Sequence, residues 1–316
     1  MITTIVRFIH KSDIRWGIVH DTKISLLPSN YATTEDLLKD RDSFNNEEVL
    51  KQEEKINISD VTLLSPVTNN CRVICQGANY RQHMKESGMD PDANPFNMFF
   101  NKSSASICSA TDAIVKPSHV SLLDYEIEMG LVIGKEITES TEVTRDNLSE
   151  FIAGVVITND VSARDVQIPE TQFFKGKSYR TFCPVGPYLC LLDKDSIHYL
   201  DELHLELRVN GDIRQNDNTK NLVFKPAETL SELSTFSNLD VGDLILTGTP
   251  SGCALRIPPP FVVRLFSLIP EPSRWTIFKK IQKKRTQYLQ KGDVIETTIF
   301  SADKCVDLGS QKNTVT

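Results

Sequence analysis

Apolar and polar residues alternate with a period of two along much of this chain, the mark of half-buried β-strands. "ITTIVRFI" (2–9), "RWGIVH" (15–20) and "KISLLP" (23–28) read as short strands, followed by a helix over "TTEDLLKDRDSF" (33–44) capped by Thr34. "VTLLSPVTNN" (61–70) then supplies a proline and two asparagines, a boundary signal. Beyond it strands predominate: "EIEMGLVIGKEI", "FIAGVVITNDVS", "VGPYLCLL", "LHLELRVNGDIR", "DLILTGTP" and "DVIETTIF". Gly242-Asp243 and Gly292-Asp293 each precede a strand and fit tight turns. Strands and helices do not alternate regularly, which argues against a doubly wound parallel sheet. The expectation is an α+β, β-rich protein. It has a small N-terminal β-rich domain (1–65) and a larger domain (66–316) with a mixed or antiparallel core and peripheral helices.

One segment departs from the strand pattern. In 253–291, three prolines at 258–260 break any regular element. After Pro272, Trp275, Phe278, Ile281 and Tyr288 are expected on one helical face, with Lys279, Lys280, Lys283, Lys284 and Arg285 around the rest. Such a basic face reads more readily as solvated surface than as an anion-binding surface.

Composition narrows the class. A formal charge of −7 argues against a nucleic-acid partner. No apolar run reaches the roughly 18 residues of a membrane span, and "MITTIVRFIHKSD" lacks the form of a signal peptide. A cytoplasmic protein is expected. The seven cysteines are odd in number, contain no CxxC, and read as buried free thiols.

The candidate chemistry begins with "LLDYEIEMGL" (122–131). Read as one strand, it places Asp124, Glu126 and Glu128 on one face, with Tyr125, Ile127 and Met129 on the other. Neighbouring carboxylates repel unless water screens them or a cation sits among them. Leu122, Leu123, Leu131, Val132 and Ile133 flank the acids, so the strand's ends look buried. Asp160, at the end of the apolar run Val155–Ile157, offers a further oxygen; with Glu126 and Glu128 it makes a hard set suited to Mg²⁺ or Mn²⁺. The other reading is a solvent-facing acidic edge. In "GANYRQHMKE" (77–86), His83 and Glu86 are three apart, so a helical turn brings them together, as a general base and its orienting carboxylate require. Lys177, in "FFKGKSYRTFCPVGPYL" (173–189), is a candidate site cation. "LTGTPSG" (246–252) offers backbone and hydroxyl donors to an anion.

In this order the motifs resemble the fumarylacetoacetate hydrolase superfamily. The resemblance rests on "GANYRQHMKE", "MFFNKSSAS", "DYEIEMGLVIGK", "ITNDVSARDVQ", "FFKGKSYRTFCPVGPYL", "RVNGDIRQ", "LTGTPSG" and "GDVIETTI", across about residues 72–300. It implies a mixed β-sandwich roll, a homodimer, and one Mg²⁺ or Mn²⁺ on Glu126, Glu128 and Asp160. It implies that His83 and Glu86 activate water or move a proton, with Lys177 as the active-site lysine. Arg81, Asp124, Arg164, Gln167 and Thr249 become supporting or substrate-binding positions. The implied reaction is hydrolysis or isomerisation of a small 2-oxo acid through a metal-stabilised enolate: C–C cleavage of an acylpyruvate or fumarylpyruvate, or isomerisation of 2-hydroxyhepta-2,4-diene-1,7-dioate, as in aromatic-compound catabolism. The alternatives are an oxaloacetate decarboxylase or keto–enol tautomerase, and a catalytically silent metabolite-binding member. Two departures bear on the substrate: Arg180 follows Tyr179 where many relatives carry an acid, and segment 253–291 replaces what is commonly a short connection.

Overall fold

The computed structural model describes residues 2–44, 55–93, 96–256, 266 and 268–316. The three prolines at 258–260 lie outside the described residues.

The observed architecture is α+β and strand-rich. Its main sheet runs in the order Lys55–Asn57, Lys23–Leu26, Asp13–His20, Thr3–His10, Leu189–Leu191, Ile152–Asn159, Ile127–Ile133, Leu244–Leu246, Val73–Gly77, Met98–Lys102. Most neighbours are antiparallel, but Leu244–Leu246 runs parallel to Val73–Gly77, which makes the sheet mixed. The N-terminal meander continues into this sheet, because Thr3, Thr4 and Ile5 pair with Leu191, Cys190 and Leu189. A second sheet holds Asp212–Asn218, His204–Val209, Val294–Phe300 and Asp307–Thr314.

The strand Ile127–Ile133 shows why the two sheets stack. All seven residues are buried. Ile127, Met129, Leu131 and Ile133 share a core with Leu205, Leu207, Ile295 and Ile299 of the second sheet. Val132 joins the opposite core, with Val156, Leu244 and Leu246. Covered on both faces, the strand reads as nearly continuous apolar sequence. At Gly130 a Cβ would come within 2.8 Å of Thr158 and Val156 side-chain carbons, so the close approach of the neighbouring strand needs glycine.

Three local expectations are corrected. The helix Thr34–Lys39 is capped by Thr33, whose side chain accepts from Asp36 N–H while Asp36 reaches back to the Thr33 N–H, a capping box. The helix Glu271–Gln282 ends before Tyr288, which is buried beyond it and donates to Gln282 Oε1 at 2.8 Å. Ile281 faces solvent, while Phe278 packs on the core. The acidic stretch is also not one strand: Leu123–Asp124 and Ile127–Ile133 are separate, and the break falls at Tyr125–Glu126.

Candidate metal centre and cavity

That break has a cause in hydrogen bonding. The Glu126 N–H donates to the Asn159 side chain at 3.0 Å, and the Ile127 N–H to Gln215 Oε1 at 3.0 Å. Two side-chain amides replace the sheet ladder just where the chain turns its acids inward. Asp160 follows the strand Ile152–Asn159 and donates its N–H to the Glu126 carbonyl at 2.8 Å, which fixes the two acids opposite one another. One carboxylate oxygen from each of Glu126, Glu128 and Asp160 lies within 4.8 Å of the others, and all three residues are buried.

Three cations reach this group from elsewhere in the chain. Lys177 Nζ donates to Glu126 Oε2 at 2.6 Å and also to Asp160 Oδ2. Lys102 Nζ donates to Asp160 Oδ1 at 2.5 Å and to the Val161 carbonyl at 3.3 Å. Arg164 spreads its guanidinium over Asp124 Oδ2 (2.8 Å), Gln167 Oε1 (2.8 Å) and Glu126 Oε1. Asp124 also accepts the Ala254 and Leu255 amides at 2.7 and 2.9 Å. Asp124 is thus an anchor for Arg164 and for the start of segment 253–291.

Glu128 is different. Among the described residues its carboxyl accepts only the Gly248 N–H, at 2.7 Å, offered from a backbone at φ +86°. Burial, and then the Asp160 and Glu126 charges, push the Glu128 carboxyl well above its ordinary range. Burial acts the same way on Glu126, but Arg164 and Lys177 outweigh it and hold that carboxyl well below. Four buried carboxylates therefore face three cations, with the excess at Glu128. Three converging oxygens, one of them on a carboxyl that keeps its proton for want of a cation, fit a hard divalent cation such as Mg²⁺ or Mn²⁺.

A cavity of about 260 Å³ opens beside the group, with Glu126, Glu128, Arg164, Gln167, Lys177 and Thr249 among its lining. His83 and Glu86, on the helix Arg81–Glu86, line it as well. The structure brings these two to one cavity without a hydrogen bond between them. Glu86 accepts from Gln82 at 3.4 Å, and the His83 imidazole has no hydrogen-bond partner among the described residues. Burial lowers the His83 pKa, which favours the neutral ring.

Arg81 lies apart, paired with Asp92 at 2.5 Å on the surface. Several donors of "LTGTPSG" are already committed. Gly248 N–H goes to Glu128, and the Thr247 and Thr249 hydroxyls go to the Met129 and Ile127 carbonyls at 2.9 Å. Through these bonds the turn holds the acidic strand in place.

The sequence alone gives Lys102, Asn159, Gln215 and Cys253 no role at the site. Lys102 carried a usable signal, since it ends the strand Met98–Lys102 as Asp160 follows its own. Gln215 carried none, because it arrives from the second sheet.

Fold and site together define a β-roll with a buried cluster of carboxylates, able to hold a cation, beside a small cavity. The chain belongs to the fumarylacetoacetate hydrolase family: the model for the fumarylacetoacetate (FAA) hydrolase C-terminal domain matches residues 72–316. A second model, Rv2993c-like N-terminal, matches residues 4–66. The rat mitochondrial oxaloacetate tautomerase Fahd2a is 40% identical over 206 residues, 65% of this chain and 64% of that protein. The oxaloacetate tautomerase YisK of Bacillus subtilis is 38% identical over 210 residues, 66% of this chain and 68% of that protein. The chain thus spans only about two thirds of the curated relatives it matches. A fumarylacetoacetate hydrolase structure from Exiguobacterium antarcticum superposes with a TM-score of 0.75 at 29% identity, covering 99% of both chains. A maleylpyruvate hydrolase from Sphingobium sp. SYK-6, in complex with manganese(II) and pyruvate, shares the fold (TM-score 0.72, 23% identity, 99% and 98% covered). These relatives are named as enzymes, both tautomerases and hydrolases. Among the described residues no helix is long and apolar enough to cross a membrane.

Proposed function

We propose that the protein is a keto–enol tautomerase of a small 2-oxo dicarboxylic acid, with oxaloacetate the first candidate. This displaces C–C hydrolysis as the leading reading. The observation that carries it is the His83 imidazole: it lines the cavity, is favoured neutral by burial, and is not hydrogen-bonded to Glu86. Activating a water for hydrolysis calls for a base oriented by its carboxylate. Tautomerisation needs only one group that takes a proton from the carbon next to the carbonyl and returns it to the oxygen. The relatives at 38–40% identity support the same choice by their names.

Glu126, Glu128 and Asp160 would hold one Mg²⁺ or Mn²⁺. When bound, such an ion stabilises negative charge developing on substrate oxygens. Lys177 spends two of its three N–H groups on Glu126 and Asp160, which leaves one for a substrate oxygen. A divalent ion added to four carboxylates and three cations turns the local charge positive, which favours an anionic substrate. At about 260 Å³ the cavity is below the ~300–1,000 Å³ of drug-sized sites, in keeping with a short-chain acid.

The test is ultraviolet detection of enol-oxaloacetate decay, run beside pyruvate release from acylpyruvates, with Mn²⁺, with Mg²⁺ and after EDTA. Faster enol–keto exchange without carbon–carbon cleavage, lost with EDTA, is expected. Efficient acylpyruvate cleavage with no effect on the tautomer rate refutes the reading.

A further inference from the structure

Cys253 opens segment 253–291 and has no part in the chemistry above. Its buried Sγ lies 3.8 Å from Glu126 Oε1 and accepts from Gln215 Nε2 at 3.6 Å. One His83 ring nitrogen, one Glu126 oxygen and this sulfur lie within 4.8 Å of one another. The imidazole has no hydrogen-bond partner among the described residues. A nitrogen, a sulfur and an oxygen at this separation are not the donor set of a hard cation. They are the donor types of zinc, whose Zn–S of ~2.3 Å and Zn–N or Zn–O of ~2.0–2.2 Å put tetrahedral ligands about 3.5 Å apart. The observed sulfur–oxygen distance is close to that edge.

We propose that His83, Glu126 and Cys253 form a second cation site, for zinc, that shares Glu126 with the hard site. Zinc bound there takes His83 out of proton transfer and so inhibits the enzyme. On binding, the S–H bond is replaced by a sulfur–zinc bond and the proton leaves to buffer. The two sites sort ions by softness: three carboxylates on one side, imidazole and thiolate on the other, with one carboxylate in common. The inhibitory half rests on His83 as the proton carrier; the binding half does not.

Mn²⁺-loaded protein is titrated with Co²⁺, an optical stand-in for zinc, and the thiolate-to-cobalt charge-transfer band is followed in the near ultraviolet. The band is expected in the natural protein and absent from Cys253→Val and from Cys253→Ser, the second variant guarding against misfolding of the first. No band in the natural protein, or an unchanged band in both folded variants, overturns the site. Zinc titration of the tautomerase rate then tests inhibition. Cys253 does not line the cavity, so both variants keep the Mn²⁺-supported rate, and their half-inhibitory zinc concentration rises by at least about tenfold, as losing a ligand entails. Equal zinc sensitivity overturns the inhibitory role. A missing tautomerase rate in the natural protein, with the cobalt band present, removes the proposed function and leaves the site standing.

Discussion

The acidic centre and the helix Glu271–Gln282 with its following residues are both dense in charge, and they treat it in opposite ways. In the centre Asp124, Glu126, Glu128, Asp160, Lys102, Arg164 and Lys177 are all buried, and every cation is hydrogen-bonded to carboxylates. Lys280, Lys283 and Lys284 are exposed, and with Lys279 they make no ion pair to another described residue. The difference lies in the solvent. Water screens a lysine for almost nothing, whereas a buried charge costs several kcal/mol unless partners meet it atom by atom. A carboxylate inside an apolar strand is therefore informative about a site, and a basic helix face in an acidic protein is not.

Three variants sharpen or break that contrast. The largest effect is expected from His83→Ala, which removes the cavity-lining imidazole. Tautomerase kcat falls by roughly 10²–10⁴-fold, the usual contribution of a general acid–base group. Calorimetric Mn²⁺ affinity stays as in the natural protein; a variant that no longer binds Mn²⁺ would place His83 in the hard site. Next comes Asp124→Ala, which strands part of Arg164 and the Ala254 and Leu255 amides. Urea unfolding should report a loss of roughly 3–5 kcal/mol, as for a broken buried pair. A loss below about 1 kcal/mol, the surface-pair scale, would mean that burial does not set the cost here. Smallest is Lys280→Glu with Lys283→Glu, which reverses two charges in water. Stability should move by no more than about 0.5 kcal/mol per site and the rate not at all. A collapse of either would end the contrast between the regions.

How much of this was legible before the structure follows the same division. The strand-rich class was readable from alternation, and the roll came by resemblance. Glu126, Glu128 and Asp160 stood out because carboxylates interrupt apolar runs. The break at Tyr125–Glu126 was hidden, because side chains of Asn159 and Gln215 take the place of ladder bonds and no local pattern announces that. Lys102 and Arg164 come from 24 residues before and 38 residues after Glu126, and no spacing rule joins them to it. The missing His83–Glu86 bond shows the opposite failure. Helical spacing brings two residues to one face, but what fills the space between them is settled by the rest of the fold.

One consequence of the Asp124 anchor concerns the chain's tolerance for change. The amides of Ala254 and Leu255 end on Asp124, and the Leu289 N–H ends on the Leu123 carbonyl at 2.9 Å. Both ends of the long segment are thus stitched to two adjacent residues. Between such stitches, doubling the length of a flexible connection costs only ~0.6 kcal/mol of closure entropy. The acids are insulated from whatever is spliced in there. Residues 123–124 serve as a socket for a segment whose length and surface can change while the acids stay in place.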